Sequence, residues 1–171
     1  MSIDNEMKTL CAAGKLALLE PAVPSFMVRR HVFVGGEARS FIFWDGSIDE
    51  DFESVSGRTF SVLERFSNGS YIAVGMDPHD KEARSQIARV DPVDQGIFAF
   101  RINDPNPAVR IFGGFAKVDV VILLTWWPRE DCDFPSEVAR CRAEWDKLFP
   151  NHPPILSDEI EDHVSKHFHI S

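Results

Sequence analysis

Apolar and polar positions between Ile97 and Phe149 alternate as strands do and then shift to a helical spacing. Gly96-Ile-Phe-Ala-Phe-Arg-Ile102 and Val109-Arg-Ile-Phe-Gly-Gly-Phe115 read as two strands joined through Asn103-Asp-Pro-Asn-Pro107. After a break at Lys117 to Asp119, Val120-Val-Ile-Leu-Leu-Thr-Trp-Trp127 reads as a third. A long amphipathic helix is predicted over 134–149, with Val138, Cys141, Trp145 and Leu148 inward.

Upstream, residues 3–19 predict a helix with Ser2 or Asp4 as cap and with Pro21 and Pro24 as stops. A hairpin is expected from Phe26–Val34 and Arg39–Trp44 around the Gly35-Gly36 turn. Arg29, Arg30, His31 and Arg39 cluster near that turn, either as a solvated face or as an anion contact. The acidic stretch 45–56 reads as a loop and lacks the spacing of a calcium loop. Arg58–Phe66 and Pro78–Val90 predict a pair of helices, with a short apolar piece at Tyr71–Met76 between them. Beyond the stiff Pro150–Pro154 connector, 155–171 reads as a last amphipathic segment.

Together these elements predict an α+β single domain over 1–171: a helical pair, an antiparallel sheet of about four to five strands, and the long helix packed on the sheet. Residues 58–149 form its core, with a helix-and-hairpin extension at 1–57 and a tail at 150–171. Composition fits an ordinary globular chain, 44% hydrophobic and 26% charged, and the 14 Phe against one Tyr point to a Phe-rich core. The net charge of −9 argues against non-specific nucleic-acid binding. Residues 97–149 nevertheless carry seven Lys/Arg against eight Asp/Glu, so a local basic face is compatible with the total. Cys11, Cys132 and Cys141 read as free thiols. The start is acidic rather than leader-like and the longest apolar run is too short to span a bilayer, so the expectation is a cytoplasmic protein with no membrane partner.

The main candidate chemistry is cationic. Arg101 leaves the first strand, Arg110 sits in the second, and Arg129 follows the third, so a meander brings all three to one end of the sheet, with Lys117 in the second turn. Three guanidinium groups there suit a phosphodiester, and the alternative is separate surface ion pairs with Asp104, Glu130, Asp131 or Asp133.

The run Ile97-Phe-Ala-Phe-Arg-Ile102, Val109-Arg-Ile-Phe112, Val121-Ile-Leu-Leu-Thr-Trp-Trp-Pro-Arg129 and Pro135-Ser-Glu-Val-Ala-Arg140 resembles the RelE/ParE-like toxin superfamily over about residues 58–149. The resemblance implies a helical hairpin, a small antiparallel sheet and a further helix. It also implies RNA cleavage in which a ribose 2′-OH attacks the adjacent phosphorus while Arg110 and Arg129 hold the developing charge. Arg101 and Arg110 match the family's strand arginines, Arg129 matches the first of a Lys pair, and Glu130 stands in place of the second. Lys117, His152 and Glu130 are the candidate general bases.

Three further groups are candidates. His163 and His167 lie four apart, so a helix would put both on one face toward a divalent metal, with Asp162 or Glu159 completing the set. Cys132 and Cys141 with His152 form a conceivable nucleophile pair, although Cys141 reads as core and acidic neighbours disfavour a Cys132 thiolate. Trp126 and Trp127 point to opposite faces, so one is left for a partner or stacking surface, with Arg29 and Arg30 as further surface candidates.

The acidic total and Glu130 favour an interaction or accessory protein on this scaffold, with a protein partner. The alternatives are a metal-independent RNA endonuclease and a metal-binding protein using the tail histidines; no cofactor is expected. A positive patch on the sheet left uncovered by the extensions would favour the nuclease.

Overall fold

The computed structural model describes residues 1–23 and 25–171. Among these residues it has four helices and one eight-stranded sheet of mixed direction, which corrects the expectation of a four- to five-stranded antiparallel sheet. The chain runs α1 (Ile3–Ala12), β1 (Leu16–Leu18), β2 (His31–Gly35), α2 (Gly36–Ile42), α3 (Glu53–Ser67), β3 (Ile72–Gly75) and β4 (Ile87–Arg89). It continues through β5 (Phe98–Ile102), β6 (Val109–Lys117), β7 (Val120–Pro128), α4 (Phe134–Leu148) and β8 (Phe168–Ile170). The spatial order is β1-β2-β7-β6-β5-β4-β3-β8.

Strands β5, β6, β7 and helix α4 occupy the stretch whose pattern marked three strands and a helix. They form an antiparallel meander in which Arg101 pairs with Arg110 and Arg110 with Trp127. Around it the pairing turns parallel at β2–β7, β3–β4 and β3–β8. The segments read as extensions thus supply β1, β2 and β8 to the same sheet.

Two helix and strand assignments change for physical reasons. The residues expected as the second hairpin strand form α2, because Ala38, Phe41 and Ile42 at helical spacing all bury against the sheet. The residues expected as the second helix form a loop and then β4, because Ile87 and Ala88 pair on both sides, with Val74 and Gly75 in β3 and with Phe100 and Ala99 in β5. A filled place in a central ladder outweighs weak helix propensity. The helical pair is therefore not formed; α3 stands without its expected partner. At the N-terminus α1 stops at Ala12, well before Pro21; the stop assigned to Pro24 lies outside the described residues.

The sheet is covered on both faces. Phe41, Val55, Leu63 and Phe66 from α2 and α3 pack on one face against Phe98, Phe100, Ile111 and Leu123. Met7 of α1 and Val138, Cys141 and Trp145 of α4 cover the other, against Phe112, Ile122 and Leu124. Half of the 14 phenylalanines are buried in the core, each fully buried side chain contributing roughly 2 kcal/mol of transfer free energy, while Phe26 and Phe43 are exposed. Gly113 sits at a bulge opposite β7, where a Cβ would lie 2.1 Å from the Ile122 carbonyl oxygen. Among the described residues no helix is long and apolar enough to cross a membrane.

Candidate functional site

Helices α1 and α4 cover β2, β7 and part of β6, and leave the Arg110 end of their face of the sheet open. The loop from Met76 to Gln86 folds back over β3 on this same face and seats Lys81 on Gly75, where a Cβ would stand 2.8 Å from the Lys81 Cβ. Between that loop and the first turn of α4 lies a depression of about 330 Å³. Its floor is the small pair Ala88 and Ala99, adjacent in register on β4 and β5. Phe134 and Pro135 form one wall, and the positive end of the 15-residue α4 adds to the potential there.

Lys81, Arg101, Arg110 and Arg129 converge on this depression. Arg101 and Arg110 are brought together by cross-strand pairing, and Arg129 arrives from the end of β7, whose backbone N–H donates to the Ala108 carbonyl beside Arg110. None of the four is ion-paired with a carboxylate among the described residues. Their partners are neutral: Arg110 donates to Asn103 Oδ1 at 2.8 Å, and Arg101 to the Glu82 and Ser85 carbonyls at 3.2 and 3.1 Å. The ion pairs with Asp104, Glu130, Asp131 or Asp133 offered as an alternative do not form.

Burial, and after it the crowding of like charges, shows in the acidities. Burial, with Arg101 and Arg129 beside it, lowers Arg110 to about 10. Burial and Arg129 lower Arg101, and burial and Arg101 lower Lys81. An arriving anion removes that mutual repulsion, so the site is electrostatically poised for negative charge.

The rim carries a group that the sequence reading passed over. His79 lines the depression, and its Nε2 lies 3.4 Å from Asp91 Oδ2, a carboxylate that also lines it. His79 and Lys81 were hidden inside the helix expected at 78–90; the prolines at 78 and 92, bracketing a charged run, were the available signal for a loop.

Other candidate residues are placed elsewhere. Lys117 ends β6 at the far end from Arg110, and its Nζ lies 2.8 Å from Asp4 Oδ1. His152 Nδ1 lies 2.9 Å from Glu6 Oε2, away from the depression. Glu130 lines a separate shallow hollow with Arg129 and Asp131.

The helix that would align His163 and His167 is not formed. A single 3-10 turn, Ile160–Asp162, precedes them. His163 is buried between Phe98 and Phe115, donating from Nδ1 to the Glu159 carbonyl, whereas His167 is held by the Gly69 carbonyl. No group of three or more His, Cys, Asp or Glu is arranged to hold a metal among the described residues.

The three cysteines are free. Burial raises Cys132 to about 11 and Cys141 to about 12, so neither is a thiolate near neutrality.

Trp126 and Trp127 divide between the two faces. Trp126 stacks on Phe41 at 4.4 Å and meets Phe52 edge-on. Trp127 remains 39% exposed, with Arg140 over its ring and its indole N–H donating to the Asp131 carbonyl. Arg30, offered as a surface residue, is 2% exposed and donates to four backbone carbonyls; Arg29 is exposed. The expected cluster around a hairpin turn is dispersed: Arg39 lies in α2 and donates to the Gly14 carbonyl.

No family model, no curated protein and no solved structure matches this chain.

Proposed function

We propose that the protein binds an RNA strand by its phosphate backbone at the depression between the 76–86 loop and α4, and cleaves it there. The observation that carries this reading is the convergence of Lys81, Arg101, Arg110 and Arg129 on an open part of the sheet without a carboxylate partner. The same arginines are those at which residues 58–149 resemble the RelE/ParE-like toxins.

In the proposed reaction His79, oriented by Asp91, takes the proton of a ribose 2′-OH. The O2′ atom attacks the adjacent phosphorus and the P–O5′ bond breaks. Arg110 and Arg129 hold the non-bridging oxygens as charge builds. Lys81, whose acidity is raised by burial and by Arg101, gives its proton to the leaving O5′. The products are a 2′,3′-cyclic phosphate and a 5′-hydroxyl.

The deciding experiment incubates a labelled single-stranded RNA with the wild type, His79→Ala and Arg101→Gln/Arg129→Gln. The expected result is a cyclic-phosphate product from the wild type, cleavage lost with binding retained in His79→Ala, and binding lost in the double variant. Absence of binding by the wild type at low salt would sink the reading.

A second reading is an accessory protein that grips a protein partner. It is favoured by Phe26, Met27 and Val28 between β1 and β2, exposed by 37%, 64% and 38%. Retention of a partner lost on Met27→Asp, by a chain inert toward RNA, is its expected signature.

A further inference from the structure

On the opposite face of the same sheet end lies a second depression, of about 390 Å³. Arg101 lines both. The second is walled by α3, from which Arg58 and Arg65 point outward, two turns apart and so roughly 10 Å along the helix. Neither forms an ion pair among the described residues. Arg84 and the Tyr71 ring complete the rim. Arg84 is paired with Glu82, and Tyr71, 61% exposed, stacks on His169 at 5.4 Å.

The distribution of charge is the second observation. Together the two depressions are lined by eight of the chain's 18 Lys and Arg and by only two of its 27 Asp and Glu, Asp91 and Asp104. An acidic protein that keeps its carboxylates off two adjoining hollows has a local field opposite in sign to its total charge. Structural ion pairing accounts for two of the eight, Arg84 with Glu82 and Arg89 with Asp158, but not for Arg58, Arg65, Arg101, Arg110 and Arg129, which have no carboxylate to pair with among the described residues.

Resting on the reading above, we infer that the two hollows are subsites of one track, and that the substrate is a single strand. The strand passes its scissile phosphate through the Lys81–Arg110 hollow, rounds the sheet end at Arg101, and lays flanking phosphates along Arg58 and Arg65. A base from that flanking segment stacks on the exposed Tyr71–His169 pair. A duplex does not follow this path, because the hollows lie on opposite faces of the sheet and a stiff helix cannot bend around its end.

The test compares the wild type with Arg58→Gln/Arg65→Gln and Tyr71→Ala, residues exposed enough that the fold is retained, as circular dichroism checks. Each binds three probes: a dinucleotide, a single-stranded RNA about twelve nucleotides long, and the same RNA as a duplex. The double variant is expected to bind the long strand about tenfold more weakly, with the slope of log K against log salt reduced by about 1.4. Dinucleotide binding stays unchanged in it, and Tyr71→Ala weakens the long strand alone. Equal binding of the long strand by double variant and wild type overturns the second subsite. A duplex bound as tightly as the single strand overturns the track. A wild type that binds no probe overturns the first hollow, and the track with it.

Discussion

Arg101 and Arg110 stand opposite each other across β5 and β6, two like charges at a position where cross-strand neighbours normally attract. Because burial, and after it Arg101 and Arg129, lower the Arg110 pKa to about 10 on folding, the cost of its charge is fully present below that value, and so throughout the neutral range. A polyvalent anion offsets it. Pyrophosphate is therefore expected to raise the melting temperature of the wild type, the gain being about 2.7 kcal/mol at a hundredfold excess over Kd. In Arg101→Gln most of that gain disappears while anion-free stability changes by less than about 1 kcal/mol. A wild type whose melting is indifferent to pyrophosphate at low ionic strength would contradict the assignment.

Arg30 ties three parts of the chain together. Its guanidinium donates to the Phe66 and Ser70 carbonyls just after α3 and to the Lys166 and His167 carbonyls ahead of β8, and it lies over the Phe66 ring at 4.9 Å. Replacing it strands buried acceptors. Arg30→Ala is expected to lose about 3 kcal/mol in urea unfolding and to free β8 for rapid amide exchange. Arg29→Ala, at the exposed neighbour, should stay within about 0.5 kcal/mol of the wild type.

Two glycines separate site from stability. Gly75 admits the Lys81 stem, so Gly75→Ala pushes the 76–86 loop outward and should weaken anion binding several-fold with the sheet intact. Gly57 lies within α3 with open space where a Cβ would go, so Gly57→Ala should stabilise by about 0.5–1 kcal/mol and leave binding untouched. Melting curves with and without pyrophosphate read both effects; equal affinity in Gly75→Ala would detach Lys81 from the site.

What could be read along the chain was what is local. The pairing of Arg101 with Arg110 follows from one hairpin, and α3 and α4 follow from their apolar stripes. The parallel partners were illegible, since nothing within His31–Gly35 names Val120–Leu123 as its neighbour, and nothing in Phe168–Ile170 names Ile72–Val74. Gly36–Ile42 carried a helical signal at Ala38, Phe41 and Ile42 that the glycine pair masked. Lys117 was separable by geometry alone: successive turns of a meander lie at opposite ends, so it could not join Arg110. His79 depended on recognising a loop where a helix pattern stood.

His163 gives the chain a pH-sensitive core. Its ring lies between Phe98 and Phe115, its Nδ1 donates to the Glu159 carbonyl, and its Nε2 is buried with no hydrogen-bond partner among the described residues. Burial lowers its pKa below 6.5, against the smaller opposing effects of Glu159 and Asp162. The unfolded chain then binds the proton more readily than the folded one, so stability rises with pH through this window and falls as pH drops below about 6.5. The loss is complete once pH passes beneath the folded pKa. Carboxylates and other histidines also titrate there, so the informative quantity is the difference from His163→Phe, which keeps the aromatic packing and cannot be protonated. At about pH 7.5 the variant is expected to lose roughly 1 kcal/mol for the hydrogen bond to Glu159. Between about pH 6.5 and 5 its urea midpoint should fall less steeply than that of the wild type, so the two curves converge. Parallel curves over that range would show that His163 does not contribute to acid sensitivity.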